Sequence, residues 1–196
     1  MTEPNDPNDP AEYTIIGLSG YAGTGKDTVR ALLEELGYNG MAFAEPIRGM
    51  LRELLSTNGI DDFYMDQREY KEAVIPALGV SYRHMAQTLG TEWGRSLHPD
   101  FWTRTAGAYI DDARQHPGTR NASFVVSDVR FANEANWVRE RGGVIWRVER
   151  SAAVPVRAHA SEAEIYHIHA DAVVDNNGSI DDLRLQVNQL LNVTTP

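Results

Sequence analysis

Short apolar runs alternate with longer amphipathic stretches along this chain, a pattern that predicts strands and helices in turn. The β-branched, apolar runs predict five buried strands, at Tyr13–Leu18, Met41–Ala44, Ser123–Ser127, Val144–Val148 and Ala172–Asp175. Apolar residues at helical spacing predict helices over Lys26–Leu36, from Pro46 onward, over Tyr82–Trp93, from about Pro99 to Arg114, over Phe131–Arg141 and after Ser179. Strands that alternate with helices predict an α/β fold with a five-stranded parallel sheet and helices on both faces.

The stretch from about residue 45 to residue 116 is long for a simple crossover between neighbouring parallel strands. Residues 57–80 within it carry acidic and aromatic side chains but few periodic signals. We interpret the stretch as a helical substrate-binding insertion within a single domain over residues 12–196. Residues 1–11 repeat Asp-Pro and contain no apolar run, so we expect a disordered segment and not a signal peptide.

Composition narrows the classes of partner and of chemistry. The chain has 196 residues, with 28 acidic and 18 basic side chains and a formal net charge of -10. Because such a surface repels a phosphate backbone, we do not expect a nucleic-acid polymer as partner. The absence of cysteine excludes disulfides, cysteine nucleophiles and thiolate zinc sites. No stretch is long and apolar enough for a membrane span, so we expect a cytoplasmic protein without a membrane partner.

A glycine-rich segment follows the first predicted strand and opens the first predicted helix. It runs Gly20-Tyr21-Ala22-Gly23-Thr24-Gly25-Lys26, which is the G-x-x-x-x-G-K pattern of a phosphate-binding loop in the context that the pattern requires. Glycines let backbone amides turn toward phosphate oxygens, and the lysine neutralises charge on the outer phosphates. We therefore predict a phosphate site formed by Gly20, Ala22, Gly23, Thr24, Gly25, Lys26, Asp27 and Thr28. The alternative is a glycine-rich turn that binds no ligand.

Acidic residues near this loop are candidate magnesium ligands. Asp27 stands where a phosphate loop usually has serine or threonine, and Thr28 follows it; both offer hard oxygen atoms to Mg²⁺. Asp128 follows the Ser123–Ser127 run, at the sheet edge where ligands of doubly wound folds collect. We predict that Asp128 holds Mg²⁺ or its bound water, and that Arg130 stabilises charge on the transferring phosphoryl group. Alternatively, Asp128 caps the following helix and Arg130 is a surface residue.

Several residues of the insertion are candidate contacts for a phosphorylated acceptor. Arg83 and Gln87 are four residues apart and share one face of a predicted helix, a pairing that suits recognition of a phosphate and a base. A solvated helix face is the alternative. Arg48 follows the second predicted strand and is a candidate clamp for the acceptor phosphate, with Arg95 as a further one. Trp102 is a candidate lining residue of a base pocket.

Three arginines precede the last predicted strand and indicate a lid. Arg147, Arg150 and Arg157 lead into the segment His159–Glu162, and loops that carry arginine often close over phosphates. We predict a lid over about residues 150–165, with Arg150 as an acceptor contact. A flexible surface loop is the alternative.

Taken together, these pieces resemble the deoxynucleoside monophosphate kinases of bacteriophages, within the P-loop nucleoside monophosphate kinase group. The matching pieces are Ser19 to Thr28, Glu45 to Arg48, Arg83 to Glu92, Phe101-Trp102, Asp128 to Arg130, His159 to Glu162 and Asn176 to Ser179. They occur in order over nearly the whole chain. The ending Gly-Lys-Asp-Thr is shared with this family, so Asp27 is expected after the lysine.

The resemblance implies a three-layer P-loop kinase fold, ATP and Mg²⁺ as cofactors, and deoxynucleoside monophosphates as acceptors. It also implies a homodimer or higher homo-oligomer, in the host cytoplasm if the protein is phage-encoded. By the same carry-over, Lys26 and the loop amides hold donor phosphates, and Arg83 and Gln87 face the acceptor. Asn176 and Gly178 then border the donor adenine.

Two other functions stay open at this stage. One is a P-loop kinase of another phosphorylated metabolite, such as phosphomevalonate or dephospho-coenzyme A. The other is a nucleotide-binding switch that transfers no phosphate. Several candidate arginine sites argue for a second phosphorylated ligand, and hence for direct in-line transfer that relies on alignment and charge neutralisation.

Overall fold

A computed structural model describes residues 14–116, 118–119, 121–151, 164–165 and 167–194. The chain forms two compact units, of which one is Ala42–Ala106 and the other contains the described residues up to Met41 and from Gly107 onward. The predicted insertion, about 45–116, overlaps the Ala42–Ala106 unit. The predicted disordered segment 1–11 lies outside the described residues.

The larger unit contains a five-stranded parallel sheet, as predicted. The described residues form the strands β1 Ile15–Ser19, β2 Asn39–Met41, β3 Val74–Ile75, β4 Val80–Ser81, β5 Phe124–Val129, β6 Val144–Glu149 and β7 Ala172–Asp175. Strands β3 and β4 lie in the Ala42–Ala106 unit, and the other five form the parallel sheet. The sheet order is β2-β5-β1-β6-β7, and each neighbouring pair is parallel. β1 therefore lies in the centre, and its carboxyl end leads into the glycine-rich segment.

Helices pack on both faces of this sheet, which confirms the three-layer α/β prediction. The α-helices of four or more residues in the described ranges are α1 Lys26–Glu35, α2 Glu45–Thr57, α3 Phe63–Asp66, α4 Tyr82–Gln87, α5 Gly94–Leu97, α6 Phe101–Gln115, α7 Ala132–Glu140 and α8 Ile180–Thr194. One buried cluster joins the sheet to α1 and α8, through Ile16, Leu18, Leu33, Trp146, Val148, Leu183 and Val187 among others. On the opposite face, the Cα of Gly17 leaves room for Ile145 and for Val138 of α7. No helix in the described ranges has the length and apolar character that crossing a bilayer requires.

The second strand lies earlier in the chain than the apolar pattern predicts. The predicted strand Met41–Ala44 is wrong: β2 is Asn39–Met41, with Asn39 opposite Phe124 and Met41 opposite Val126. Ala42 and Phe43 are buried as well, but they follow the strand and lead into α2. Because β2 is an edge strand, polar residues are tolerated there, and the apolar run marks burial instead of the strand itself.

The predicted helix Tyr82–Trp93 is helical throughout but changes type along its length. It consists of α4 and a π-helical segment over Thr88–Trp93, and α5 follows directly. In this wider segment the carbonyl of Gly90 accepts a hydrogen bond from the indole nitrogen of Trp102, at 2.7 Å. Apolar spacing over six residues does not separate a π-helical turn from an α-helical one.

Residues 57–80 contain elements that the sequence pattern did not reveal. Helix α3 has four residues, and β3 and β4 pair as a two-stranded antiparallel hairpin. Each strand of this hairpin has two residues, which is too short for the alternation that predicts strands.

The final helix begins as predicted, with Ser179 as its cap. The backbone N–H of Asp182 donates to Ser179 Oγ at 3.2 Å, and Asp182 Oδ2 accepts from the N–H and the hydroxyl of Ser179 at 2.9 and 2.7 Å. These reciprocal bonds satisfy amides at the helix start that have no partner within the helix.

Candidate active site

The turn between β1 and α1 has the backbone shape of a phosphate loop. Gly20, Gly23 and Gly25 have φ values of 140°, 82° and 100°, which side-chain-bearing L-residues rarely adopt. A β-carbon on Gly20 would lie 2.4 Å from the carbonyl oxygen of Val148, so the loop leaves β1 in close contact with β6. Thr24 is buried and its hydroxyl donates to the carbonyl of Tyr21 at 3.0 Å.

The ammonium of Lys26 is held against the same loop. Its Nζ donates to the carbonyl oxygens of Gly20 and Tyr21, at 2.7 and 2.8 Å. The N-cap residue Gly25 has no side chain to cap the amides of the first turn of α1. A cation beside uncapped amides at a helix start is an arrangement that suits an anion such as phosphate.

A side chain from the far end of the chain braces this loop. Asn176 Nδ2 donates to the carbonyl of Thr24 at 2.8 Å. The predicted contact Gly178 lies two residues further on, where a β-carbon would be 2.8 Å from Asp182 Oδ2. Both residues thus lie at the end of β7, in the same unit as the loop.

Asp128 lies within β5, since this strand continues to Val129 and does not end at Ser127 as predicted. It is not a helix cap either, because the N-cap residue of α7 is Phe131. The pairing of β5 with β1 shifts by one residue: Gly17 is opposite Val126, but Ser19 is opposite Val129. Such irregularities redirect side chains and are common beside active sites. Asp128 therefore directly precedes Val129, which is the strand partner of Ser19, the residue before the phosphate loop.

The turn that carries Arg130 is held by a buried carboxylate that the sequence analysis missed. Glu134 is only 4% exposed, and its Oε2 accepts from the backbone N–H groups of Arg130 and Phe131 at 2.8 and 3.1 Å. A glutamate three residues after a helix cap is a known signal for this arrangement. The signal was present in the sequence, although phenylalanine at the cap position conceals it.

Ser19 is a second residue that the sequence analysis missed. It is fully buried at the carboxyl end of β1, and its hydroxyl has no hydrogen-bond partner among the described residues. A buried hydroxyl without a partner is costly. Its position directly before Gly20 fits a site in which a bound group supplies the partner.

The predicted metal ligands offer few oxygen atoms. Asp27 and Thr28 are exposed in the first turn of α1. The described part of the chain contains no group of three or more His, Cys, Asp and Glu residues suited to a metal ion. Protein sites often hold Mg²⁺ by one or two carboxylates together with phosphate oxygens and water, and the assignment of Asp27, Thr28 and Asp128 to this ion stays a prediction.

Five predicted acceptor contacts lie in the Ala42–Ala106 unit: Arg48, Arg83, Gln87, Arg95 and Trp102. The guanidinium of Arg83 pairs with Glu72, with 2.6 Å between Nε and Oε1, although the side chain of Glu72 is 68% exposed. Burial raises the pKa of the Tyr82 hydroxyl, and the positive charge of Arg48 on α2 opposes this rise. Arg48 itself is exposed, whereas Gln87 and Arg95 are partly buried.

Trp102 is a packed residue in this unit, with 5% of its surface exposed. A β-carbon on Gly94 would lie 2.4 Å from its ring, and Phe101 contacts it edge-on at a centroid distance of 4.8 Å. Its role in a base pocket stays a prediction. The neighbouring Trp93 is 42% exposed.

Arg150 is exposed at the end of β6, and both of its neighbours are tied to the turn after β7. The carbonyl of Glu149 accepts from the N–H of Asn176, and the N–H of Ser151 donates to Asn177 Oδ1, each at 2.8 Å. Arg147 donates to the carbonyl of Ile168. The rest of the predicted lid, including Arg157 and His159 to Glu162, lies outside the described residues apart from 164–165.

The sequence of this chain is similar to those of a known protein family and of two of its relatives. Residues 56–187 match the family described as "Deoxynucleotide monophosphate kinase". A putative deoxynucleotide monophosphate kinase of Acanthamoeba polyphaga mimivirus is 30% identical over 184 residues, covering 88% of this chain and 93% of the relative. The deoxynucleotide monophosphate kinase of Escherichia phage RB69 is 27% identical over 155 residues, covering 71% of this chain and 62% of that protein.

A solved structure shares the fold. TT1252 from Thermus thermophilus aligns with a TM-score of 0.52 and 21% sequence identity, and the alignment covers 94% of this chain and 100% of that one. At this level of identity the likeness concerns the fold alone.

Proposed function

The chain belongs to the deoxynucleotide monophosphate kinase family, and we propose that it transfers the γ-phosphoryl group of ATP to a deoxynucleoside monophosphate, giving the diphosphate. The observation that carries the proposal is the phosphate loop. Three glycines with positive φ form it, and the Lys26 ammonium is held there by the carbonyls of Gly20 and Tyr21. The names of the family and of its relatives support the acceptor class.

The loop is suited to the phosphates of the donor. Positive φ values at Gly20, Gly23 and Gly25 let consecutive amides face an anion, and the start of α1 adds its partial positive charge. Lys26 then exchanges its two carbonyl contacts for phosphate oxygens, which are stronger partners because they are charged. In this proposal Ala22, Thr24, Asp27 and Thr28 complete the donor site.

Asp27, Thr28 and Asp128 are the residues that would hold Mg²⁺, directly or through water. When bound, the ion supplies charge neutralisation on the donor phosphates. Arg130 follows Asp128 by two residues and lies in the turn that Glu134 holds. We assign Arg130 the role of stabilising the negative charge on the transferring phosphoryl group.

Arg48, Arg83, Gln87, Arg95 and Trp102 are assigned to the acceptor nucleotide. The assignment of Arg150 to the acceptor stays a prediction. In this proposal an acceptor phosphate replaces Glu72, whose side chain is 68% exposed, as the partner of Arg83, whose Nε atom is buried. Asn176 and Gly178 stay assigned to the donor side.

The reaction needs no strong general base. An oxygen of the acceptor phosphate attacks the γ-phosphorus, the bond from that phosphorus to the β,γ-bridging oxygen breaks, and ADP leaves with the electron pair. Because a phosphate dianion carries no proton to remove, catalysis depends on alignment, charge neutralisation and exclusion of water.

A coupled assay of ADP formation tests the proposal, with ATP and Mg²⁺ and a panel of deoxyribo- and ribonucleoside monophosphates. We expect turnover with at least one deoxynucleotide and a loss of about a thousandfold in Lys26→Met, since the lysine contacts the transferring charge. Arg184→Met is the matched control, because it also removes one positive charge but lies on α8 in an ion pair with Glu35.

Three outcomes would overturn the proposal. One is unchanged turnover in folded Lys26→Met. Another is ATP binding without diphosphate formation from any monophosphate, which is the behaviour of a switch. The third is turnover with phosphomevalonate or dephospho-coenzyme A alone, which would identify a kinase of another metabolite. The homo-oligomer stays a prediction that light scattering tests.

A further inference from the structure

We propose that Asn176 is a positioning residue that holds the phosphate loop in its nucleotide-binding shape, and that with Asn177 it fixes the strand end that carries Arg150. We call Asn176 and Asn177 the asparagine brace. The inference rests on the proposed function, because it assumes that the loop binds the phosphates of the donor. It differs from a contact with the donor base, which is the role that family resemblance implies for Asn176.

The first contact of the brace reaches the middle of the phosphate loop. Asn176 Nδ2 donates to the carbonyl of Thr24 at 2.8 Å, across 152 residues of sequence. Thr24 is only 3% exposed, and its hydroxyl is bonded to Tyr21 within the loop. Thr24 is thus held from both sides, which restricts the conformations open to the loop.

The second contact is a close approach to Gly25. A β-carbon on Gly25 would lie 2.1 Å from Asn176 Nδ2 and 3.2 Å from its Cγ. The carbonyl of Gly25 in turn accepts from the N–H groups of Thr28 and Val29, at 3.0 and 3.1 Å. Asn176 therefore packs against the residue at which the loop becomes α1, and the loop amides around it are those assigned to phosphate.

The brace is itself fixed to the end of the sheet. The N–H of Asn176 donates to the carbonyl of Glu149, which extends the pairing of Glu149 with Asp175 by one residue. Asn177 donates to Asp175 Oδ1 through its backbone N–H at 3.0 Å, as in the turns that asparagine and aspartate favour. Asn177 Oδ1 accepts from the N–H of Ser151.

One short turn consequently contacts both the phosphate loop and the two neighbours of Arg150. A loop that is ordered before binding loses less conformational entropy when the nucleotide binds. Removing the Asn176 amide should therefore weaken the binding of any triphosphate, whatever its base. Removing the side chain of Asn177 should loosen the end of β6 but leave triphosphate binding near its wild-type value, since Asn176 keeps its bond to Thr24.

Binding is best measured by calorimetry with a non-hydrolysable ATP analogue and with inorganic tripolyphosphate, which has no base. The variants are Asn176→Ala, Asn176→Leu, which has a similar size and no charge but loses the donor, Asn177→Ala, and the control Asn188→Ala. Asn188 is an exposed asparagine of α8 that donates to the carbonyl of Arg184 in the preceding turn. Thermal unfolding checks that each variant is folded.

We expect both Asn176 variants to bind the analogue and tripolyphosphate about tenfold more weakly, the effect of one lost hydrogen bond. Their KM for the acceptor should change by less than about twofold, because the assigned acceptor contacts lie in the Ala42–Ala106 unit. Asn177→Ala and Asn188→Ala should both bind the two probes with wild-type affinity.

Two results would overturn the inference while leaving the proposed function intact. One is wild-type affinity for both probes in the Asn176 variants. The other is weaker binding of the analogue with unchanged binding of tripolyphosphate, which indicates a base contact. A wild-type protein that binds neither probe would instead overturn the proposed function, and the inference with it.

Discussion

The amide group of Asn176 occupies the space that a side chain on Gly25 would need, with 2.1 Å between Nδ2 and the position of a β-carbon. Gly25→Ala should therefore displace Asn176 from Thr24 and strain a backbone with φ of 100°. We expect nucleotide affinity to fall more than tenfold and the free energy of unfolding to fall by about 1–3 kcal/mol. Calorimetry and urea denaturation measure these effects. A Gly25→Ala protein with wild-type nucleotide affinity would contradict this account of the loop.

Two glycines of the Ala42–Ala106 unit should respond to alanine in opposite directions. Gly49 lies within α2, and Gly59 follows this helix with φ of 64°; a β-carbon at either position would meet no atom within 4 Å. Gly49→Ala should raise the free energy of unfolding by about 0.5–1 kcal/mol, because alanine has the higher helix propensity. Gly59→Ala should lower it by about 1 kcal/mol, through left-handed strain. Urea denaturation of both variants measures these effects. If the two substitutions changed the free energy of unfolding in the same direction, the helical backbone at Gly49 or the left-handed backbone at Gly59 would be refuted.

The carboxylate of Glu134 should be important for both stability and turnover. Glu134→Ala leaves the N–H groups of Arg130 and Phe131 without their acceptor, which should lower the free energy of unfolding by about 2–4 kcal/mol. Glu134→Gln keeps one oxygen acceptor and should lose about half as much. kcat should fall in the same order, since the path of the turn that carries Arg130 changes. Urea denaturation and steady-state kinetics measure both effects.

Glu140, the exposed last residue of α7, provides the matched control for this pair. Glu140→Ala should leave both quantities near their wild-type values. A loss in Glu140→Ala as large as that in Glu134→Ala would show that the acceptor role of Glu134 is not the cause.

The start of α8 should contribute to acid sensitivity. The hydroxyl of Ser179, and then its backbone N–H, lower the pKa of Asp182 below the ordinary value by hydrogen bonding to the carboxylate. A lowered folded-state pKa means that the stabilisation is present above the pKa of the unfolded state, about 4, and is lost as pH falls through the folded value. Ser179→Ala should therefore have a lower Tm than the wild type at pH 7, and the gap should narrow at pH 3. A gap of equal size at both pH values would contradict this.

Local sequence signals were sufficient for the parts of the site that lie within a few residues of one another. The spacing from Gly20 to Lys26 predicted the loop, and Ser179 predicted the start of α8. Helical and strand periodicities predicted five parallel strands and helices on both faces, although the second strand lies two residues earlier than predicted. These features depend on backbone preferences and on amphipathic faces, which are encoded over short windows.

Tertiary structure alone decided how distant segments are aligned. The shifted pairing that places Val129 opposite Ser19, and the edge strand that begins at Asn39, depend on which strands become neighbours. The bond from Asn176 to Thr24 joins residues 152 positions apart. The sequence by itself determined the glycine-rich loop between β1 and α1 and the lysine that follows it. Strand register and long-range hydrogen bonds determined how those residues are held, because a contact between distant residues exists only after the sheet between them has formed.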